Sequence, residues 1–343
     1  MQEKVLVGMS GGVDSSAAAL ILKNKGYDVS GITLTLTDND NSRDIADAKA
    51  VCERLGITHT VLDLRKEFKE QVISYFINEY KSGRTPNPCI VCNKHIKFGA
   101  MLDYAERNGF DRIATGHYAR VVQENGRFLL KRGADLSKDQ SYVLYSLTQN
   151  QLSRLLLPLG EVSKPQVREM TEKAGLVSAD RPDSQDICFV PDGDYASFIE
   201  KTDGFTSEKG DYVDIKGNTI GQHEGVIHYT IGQRKGLGIA LGKPQFVIDK
   251  NPDTNRVVLG DEEHLFKRQV YVEDVNFIPF DELKTALPVY AKLRYRHKEQ
   301  PAVIYPYKEG MMIEFSSPQR APSPGQAAVF YYSDVVIGGG III

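Results

Sequence analysis

Apolar positions along this chain follow two different patterns, and the change falls near residue 200. In the first part, short apolar runs alternate with helix-like spacings. Lys4-Val5-Leu6-Val7 reads as a strand and leads through GMSGGVDS, residues 8–15, into the helix-favouring stretch Ser16 to Leu22. Val29 to Leu36 is β-rich, and Arg43 to Leu55 reads as a helix that Ser42 can cap and Gly56 ends. Thr58 to Leu64 follows as a strand, Lys66 to Tyr80 as a helix and Asp111 to Thr115 as another short strand. Alternation of this kind predicts an α/β domain: a parallel sheet with helices on both faces and a ligand site at the carboxyl edge of the strands, where residues 8–15 lie.

From Gly204 onward, glycine-punctuated short β segments dominate. Tyr212 to Asn218 and Pro244 to Ile248 come first; then Val270 to Val275, Val289 to Tyr295, Ala302 to Tyr307, Met311 to Phe315 and Ala327 to Tyr332. Five or more short strands separated by turns suggest a small β-barrel or sandwich. The expected division is 1–203 for the α/β domain, 204–262 for a small β-rich central domain and 263–343 for a C-terminal β-barrel.

The stretch 8–15 has the make-up of a phosphate seat. Gly11 and Gly12 permit a tight turn with backbone N–H groups facing an anion, the following helix adds partial positive charge, and Ser10, Ser15 and Ser16 offer hydroxyls. A Walker A loop would end in GK[ST], whereas this loop has no lysine and carries Asp14. Such a seat suits pyrophosphate as a leaving group better than transfer of a terminal phosphoryl. The glycine-rich run 236–244 satisfies neither nucleotide motif, because Leu237, Leu241 and Pro244 stand where glycine or a hydroxyl is needed. It reads as a loop.

With 343 residues, 41% hydrophobic and 25% charged, the chain has the composition of a soluble protein of two or three domains, without an apolar run long enough to span a bilayer. Met1-Gln2-Glu3-Lys4 runs directly into the first strand, which leaves no room for a signal peptide; a cytoplasmic location and no membrane partner are expected. The net charge of −3 argues against indiscriminate coating of nucleic acid. Local basic clusters at Lys94, His95 and Lys97, at Arg234 and Lys235, and at Arg294, Arg296, His297 and Lys298 leave room for a specific RNA.

Four cysteines in a reducing compartment point to burial, metal binding or catalysis. Cys52 shares a helical stripe with Ile45, Ala48 and Leu55 and reads as core. Cys89 and Cys92 sit in TPNPCIVCNK, a proline-set loop before a helix expected to start near Asn93, where the helix N-terminus and Lys94 should lower a thiol pKa. Cys188 stands in DSQDICFV, residues 183–190, outside any clear amphipathic period. Three readings remain open for this trio: a zinc site completed by His95 or Asp186, a three-thiolate iron–sulfur cluster, or a catalytic sulfur-transfer pair.

SGGVDSS after a strand resembles the signature of the PP-loop ATP pyrophosphatases. Taken with GRTPNPCIVCNKHIKFG, IATGHYAR, SKDQSYVLY, DSQDICFV, TIGQRKGLGIALGKPQFV, RYRH, SPQRA and the terminal GGGII, the whole chain from residue 5 resembles the tRNA-specific 2-thiouridylases. The resemblance implies an N-terminal domain of the PP-loop, adenine nucleotide alpha hydrolase-like type, with tRNA lying across all three domains. It implies ATP as cosubstrate with Mg²⁺, tRNA with a wobble uridine as substrate, and an upstream persulfide sulfur-donor protein as partner. ATP contacts would fall on Gly8, Met9, Ser10, Gly11, Gly12, Val13, Asp14 and Ser15, with Leu34 and Gly116. Asn87, Pro88 and Cys89 would contact the base; Lys138, Asp139, Gln140, Arg294 and Tyr295 would contact tRNA. Cys92 would be the nucleophile and Cys188 the persulfide carrier, leaving a Cys92–Cys188 disulfide after each turnover.

One departure stands out. The family pattern is usually NPDxxCNK, and here Cys89 occupies the Asp position, which creates the CxxC and a third thiol. The persulfide route is the expectation carried forward; an iron–sulfur cluster on Cys89, Cys92 and Cys188 is the alternative. A PP-loop enzyme that amidates a small molecule would leave the paired thiols unexplained, and a zinc-stapled, non-catalytic RNA-binding protein would leave SGGVDSS idle. The loops at 84–93 and 180–190 are expected to be flexible and to rearrange on tRNA binding.

Overall fold

Val5 and Val7 face one way and Leu6 the other, and all three are buried, because β1 (Lys4–Gly8) is the central strand of a five-stranded parallel sheet covered on both faces. The computed structural model describes residues 2–38, 41–176, 187–190, 192–240 and 242–343. Next to β1 on one side come β2 (Asp28–Thr35) and β3 (Thr58–Asp63). On the other side lies β4 (Arg112–Ala114); after the hairpin β5 (Ala119–Glu124) and β6 (Arg127–Arg132), β7 (Leu155–Leu156) completes the sheet in the order β3-β2-β1-β4-β7. The chain leaves β1 towards β2 and returns on its far side at β4, so strand order reverses at β1 and opens a crevice at its carboxyl end.

Val5 and Val7 pack with Ala18, Ala19 and Leu22 of α1 (Val13–Asn24) and with Ala48, Val51, Cys52 and Leu55 of α2 (Ser42–Leu55). Leu6 packs on the opposite face with Ile90, Phe98, Met101 and Leu102. Cys52 is core, as its helical spacing implied, and burial pushes its thiol up to about 11. Ser42 is the first residue of α2 rather than its cap; Asn41 holds the cap position without a side-chain bond, and Gly56 closes the helix at φ 62°. The helix expected over 66–80 spans 65–81 with a π-helical turn at Lys69–Ile73.

The central domain holds β8 (Gly210–Val213), β9 (Thr219–His223), β10 (Phe246–Asn251) and β11 (Arg256–Gly260), in the order β10-β11-β8-β9. The C-terminal domain holds β12 (Phe266–Phe277), β13 (Leu287–Lys292), β14 (Gln300–Tyr307), β15 (Gly310–Arg320), β16 (Ala327–Tyr332) and β17 (Val335–Ile342). These run in the order β12-β15-β14-β13-β16-β17, and a β12–β17 pairing closes them into a barrel.

Two features lie outside the expected pattern. The hairpin β5–β6 grows from the α/β domain and extends the barrel sheet, with Lys131 paired to Val335; Arg132 also stacks 4.1 Å from the Tyr331 ring. Strand β17 runs through Gly338, Gly339 and Gly340, a poor β sequence. A Cβ on residue 339 would lie 2.6 Å from the Ala328 carbonyl oxygen and 2.7 Å from the Tyr145 ring, so close packing demands glycine there. Among the described residues no helix is long and apolar enough to cross a membrane.

Candidate active site

The loop after β1 turns at Gly11, whose φ of 71° suits glycine, and α1 starts at Val13 with Gly12 in the cap position. No side chain caps the helix, so its first N–H groups are left to a ligand or solvent. The Ser15 hydroxyl donates to the Gly12 carbonyl at 3.1 Å and accepts from the Ser10 N–H at 3.2 Å, while Ser16 Oγ donates to Gly12 at 2.9 Å. Met9 is buried and tied to the sheet through its N–H on Ile32; Ser10 is exposed at the crevice. Gly116, on the loop after β4, packs directly against the start of α1. A Cβ there would lie 2.7 Å from the Asp14 carbonyl carbon and 2.9 Å from the Ser15 nitrogen. Leu34, near the end of β2, packs against the hydrophobic clusters of both sheet faces.

The cation missing from the loop arrives from 150 residues away. Lys164, the first residue of the helix Lys164–Lys173, donates from Nζ to both Asp14 carboxylate oxygens at 2.8 and 2.9 Å, and the Tyr118 hydroxyl donates to Oδ1 at 2.7 Å. Sequence reasoning did not find Lys164, since nothing local links its S-K-P-Q helix start to residue 14. Tyr118 was within reach of it, two residues beyond Gly116 in ATGHY. Asp14 is thus oriented and charge-paired, and the site presents Ser10, Ser15, the α1 N-terminus and a lysine ammonium together.

Cys89 and Cys92 lie inside a helix rather than in a loop before one. Asn87 Oδ1 accepts from the Cys89 N–H at 3.2 Å and Pro88 takes the first helical position, so Pro88–Cys92 starts a helix that continues through a π-helical stretch, Asn93–Ala100. Nor is the segment loose. The Thr85 N–H donates to Pro324 O at 2.7 Å and Gln326 Nε2 donates to Thr85 O at 2.7 Å, which pins it to the barrel. Of the second loop, 180–186 lies outside the described residues, as does Asp186. Phe189 and Val190 are buried in the same cluster as Cys92, Phe68 and Phe76.

All four cysteines are free thiols; Cys89 and Cys188 are exposed and Cys92 is buried. The expected lowering of the thiol pKa by Lys94 does not occur. Burial raises all three, Cys92 to about 12, and Lys97, not Lys94, is the cation that offsets it at each. The fields show how the groups are grouped: Cys89 raises Cys188, and both raise Cys92. Lys97 also helps hold the fully buried His117 well below its ordinary range, after burial itself. His117 pairs through Nδ1 with Thr115 Oγ1 at 2.8 Å and is one residue from Gly116, so Lys97 lies between the nucleotide loop and the thiols. The trio does not form a ligand set, because among the described residues no three His, Cys, Asp or Glu side chains are placed to hold a metal ion. His95 is exposed.

Other candidate residues divide into supports and presented groups. Asp139 accepts from the Gly133 and Ser141 N–H groups at 3.1 Å each and from Ser141 Oγ at 2.9 Å, which makes it a loop organiser. Gln140 accepts from the Tyr118 N–H at 3.0 Å. Arg294 Nη2 donates to Ile231 O, Ala321 O and Ser323 Oγ, stitching the barrel to the central domain. Tyr295 is exposed, donates to Asp139 O at 3.3 Å, and feels the field of Cys89. The Lys138 backbone N–H donates to Asp135 O in the same loop. Two open grooves carry the basic clusters: about 350 Å³ lined by Arg296, His297, Lys298 and Arg320, and about 490 Å³ lined by Arg234, Lys243 and the glycine-rich loop.

Residues 3–192 match the family described as tRNA methyl transferase HUP domain, 197–261 the tRNA methyl transferase PRC-barrel domain and 267–342 the aminomethyltransferase beta-barrel domain. A tRNA-specific 2-thiouridylase MnmA of Clostridioides difficile is 50% identical, with 100% of this chain and 98% of that protein covered. Its counterpart in Carboxydothermus hydrogenoformans is 49% identical over 99% of this chain and 98% of that one. Among solved structures, the U34-tRNA thiolase NcsA from Methanococcus maripaludis is similar over 58% of this chain and 66% of that one, at 20% identity and a TM-score of 0.36. Full-length identity near one half, together with a phosphate loop and a thiol cluster on one domain, places this chain in the tRNA-specific 2-thiouridylase family.

Proposed function

We propose that this sulfurtransferase makes 2-thiouridine in tRNA by adenylating the C2 oxygen of the wobble uridine and replacing it with sulfur carried on Cys188. The observation that carries the reading is one domain in which the nucleotide loop and the thiols share a single charge neighbourhood, Lys97 acting on His117 and on all three cysteines. A uridine carbonyl is a poor electrophile. Attack by its oxygen on the α-phosphate of ATP turns that oxygen into part of a leaving group, AMP, and expels pyrophosphate. The α1 N-terminus and Lys164 are placed to take up the charge of that pyrophosphate. A divalent cation accompanying ATP would find hard oxygen donors in Ser10, Ser15 and Asp14, and would neutralise triphosphate charge. No step through an iron–sulfur cluster is derived, since the thiols do not form its ligand set.

Sulfur reaches Cys188 as a persulfide from a donor protein, its exposure leaving it open to such a partner. The persulfide reacts at C2, AMP leaves, and a thiol of the Cys89/Cys92 pair accepts the bond from Cys188. Tyr295, Lys138 and Cys89 are the tRNA-facing members of the site, with the two basic grooves extending it towards the RNA backbone. Asn87, Pro88, Asp139, Gln140 and Arg294 contribute by holding them. Such chemistry belongs in the cytoplasm, where tRNA and ATP meet. In the test, Cys188→Ser abolishes 2-thiouridine while tRNA-dependent pyrophosphate release continues; loss of both would refute the separation of activation from sulfur delivery.

A further inference from the structure

We infer that Cys89, rather than Cys92, is the thiol that resolves Cys188 during sulfur transfer in this chain, closing a Cys89–Cys188 disulfide. The inference rests on the persulfide reading above and sharpens it. Its first support is access. Cys89 and Cys188 are both exposed, whereas Cys92 is buried in an apolar cluster with Phe68, Phe76 and Phe189. Attack on a sulfur–sulfur bond requires an approach along that bond, and a thiol sealed beneath aromatic rings must first be uncovered.

Placement is the second support. Asn87 and Pro88 hold Cys89 in the first turn of its helix, where the N-terminal partial charge favours a thiolate; Cys92 lies one turn further in, at the last residue of Pro88–Cys92. The order of ionisation agrees. Cys89 raises both Cys188 and Cys92, while neither of them raises Cys89, whose burial cost is offset by Lys97. Cys89 therefore carries the thiolate first. Tyr295, which feels the Cys89 charge, closes the barrel side of the same surface.

The step balances as follows. The Cys89 thiolate attacks the Cys188 sulfur of the Cys188 persulfide, the persulfide S–S bond breaks, and the terminal sulfur leaves as hydrosulfide. That sulfur is reduced from the sulfane to the sulfide level, while the two cysteines are oxidised to a disulfide. Hydrosulfide adds to C2 of the adenylated uridine, loses its proton, and AMP departs with the former C2 oxygen. A dithiol reductant then restores both thiols.

The experiment is a single turnover of the full-length enzyme, preloaded at Cys188 with polysulfide, given ATP and a tRNA transcript, and quenched with N-ethylmaleimide. Non-reducing peptide mass spectrometry identifies the disulfide formed. A Cys89–Cys188 peptide accumulating one-for-one with 2-thiouridine is expected; a Cys92–Cys188 peptide overturns the inference and leaves the persulfide reading standing. Product without any disulfide overturns the persulfide reading itself. In Cys89→Ser, whose helix start keeps the Asn87 cap because the cap binds the backbone N–H, pyrophosphate release should persist. Its Cys188 persulfide should survive ATP and tRNA, with 2-thiouridine formation at least tenfold slower. Disulfide formation at the wild-type rate in that variant would equally refute the assignment.

Discussion

Replacing Gly116 by alanine adds a single methyl group, and the structure states what that methyl meets. Its carbon would sit 2.7 Å from the Asp14 carbonyl carbon, 2.9 Å from Asp14 Cβ and 2.9 Å from the Ser15 nitrogen. Ordinary contact needs about 3.4 Å or more, so the loop or the start of α1 must retreat by roughly 0.5–1 Å. Two of the three atoms are backbone, and no rotamer change relieves them. Gly116 does not have a positive φ, so alanine brings steric pressure without backbone strain. Overpacking of this kind costs about 1–3 kcal/mol of stability, which a domain with this much core survives. The larger effect is on the nucleotide. Asp14 and Ser15 carry the first turn of α1, and a displacement near 1 Å at a reacting centre costs on the order of 100-fold in rate. The assay is tRNA-dependent pyrophosphate release, with ATP affinity by calorimetry and tRNA affinity as the control. Pyrophosphate release should fall by about 30- to 100-fold while tRNA binding holds. A Gly116→Ala enzyme with wild-type ATP affinity and turnover would refute the packing of this loop against α1 as a determinant of nucleotide binding.

Lys164→Met removes the ammonium from Asp14; with charge-assisted bonds worth about 1.5–3 kcal/mol, pyrophosphate release should drop by roughly 10- to 100-fold, with Lys164→Arg retaining part of it. Asn87→Ala removes the cap of the helix carrying Cys89, at a cost of about 1 kcal/mol, and hydrogen exchange at 88–92 should accelerate while the sheet stays protected. Lys250 is buried in the central domain, donates to Tyr229 O at 2.6 Å, and is lowered by burial to about 8. The unfolded chain therefore holds this proton more tightly, and the penalty is full below about pH 8 and vanishes above the unfolded value, near 10.4. Lys250→Met should stabilise the protein by about 2 kcal/mol at pH 7, after loss of the hydrogen bond, and the advantage should shrink between pH 8 and 10. Denaturant melts of both proteins across that range test the sign, and an advantage that grows with pH contradicts it.

How much could be read from the sequence differs between fold and site. The parallel sheet was legible because β1 is a short apolar run beside a glycine turn, and period alone fixes such an element. The hairpin β5–β6 was also legible, through Asn125-Gly126, both at positive φ, the pair a tight hairpin turn favours; charges at Arg120, Arg127 and Lys131 hid the strands around it. Strand β17 was not legible from propensity, because its three glycines answer to neighbours such as Tyr145, Ala328 and Glu273. In the site, Gly8 to Ser15 could be read locally. The Asp14–Lys164 pair spans 150 residues and has no local signature. Cys89 and Cys92 were placed before a helix rather than within it because a helix was expected to start near Asn93, although Asn-Pro is itself a cap followed by a first-turn proline. Thiol ionisation was misjudged in direction. Sequence shows a neighbouring lysine, but burial, which outweighs it here, depends on Phe68, Phe76 and Phe189 arriving from elsewhere.

The central claim is that ATP is spent on the C2 oxygen of the uridine, and the fate of that oxygen tests it most directly. A tRNA labelled with oxygen-18 at C2 of the wobble uridine would be incubated with the enzyme, ATP and a persulfide source, and the products analysed by mass spectrometry. The label should appear in the phosphate of AMP, in one-to-one amount with 2-thiouridine. Label released into water, or 2-thiouridine formed with unlabelled AMP, would contradict the adenylation account.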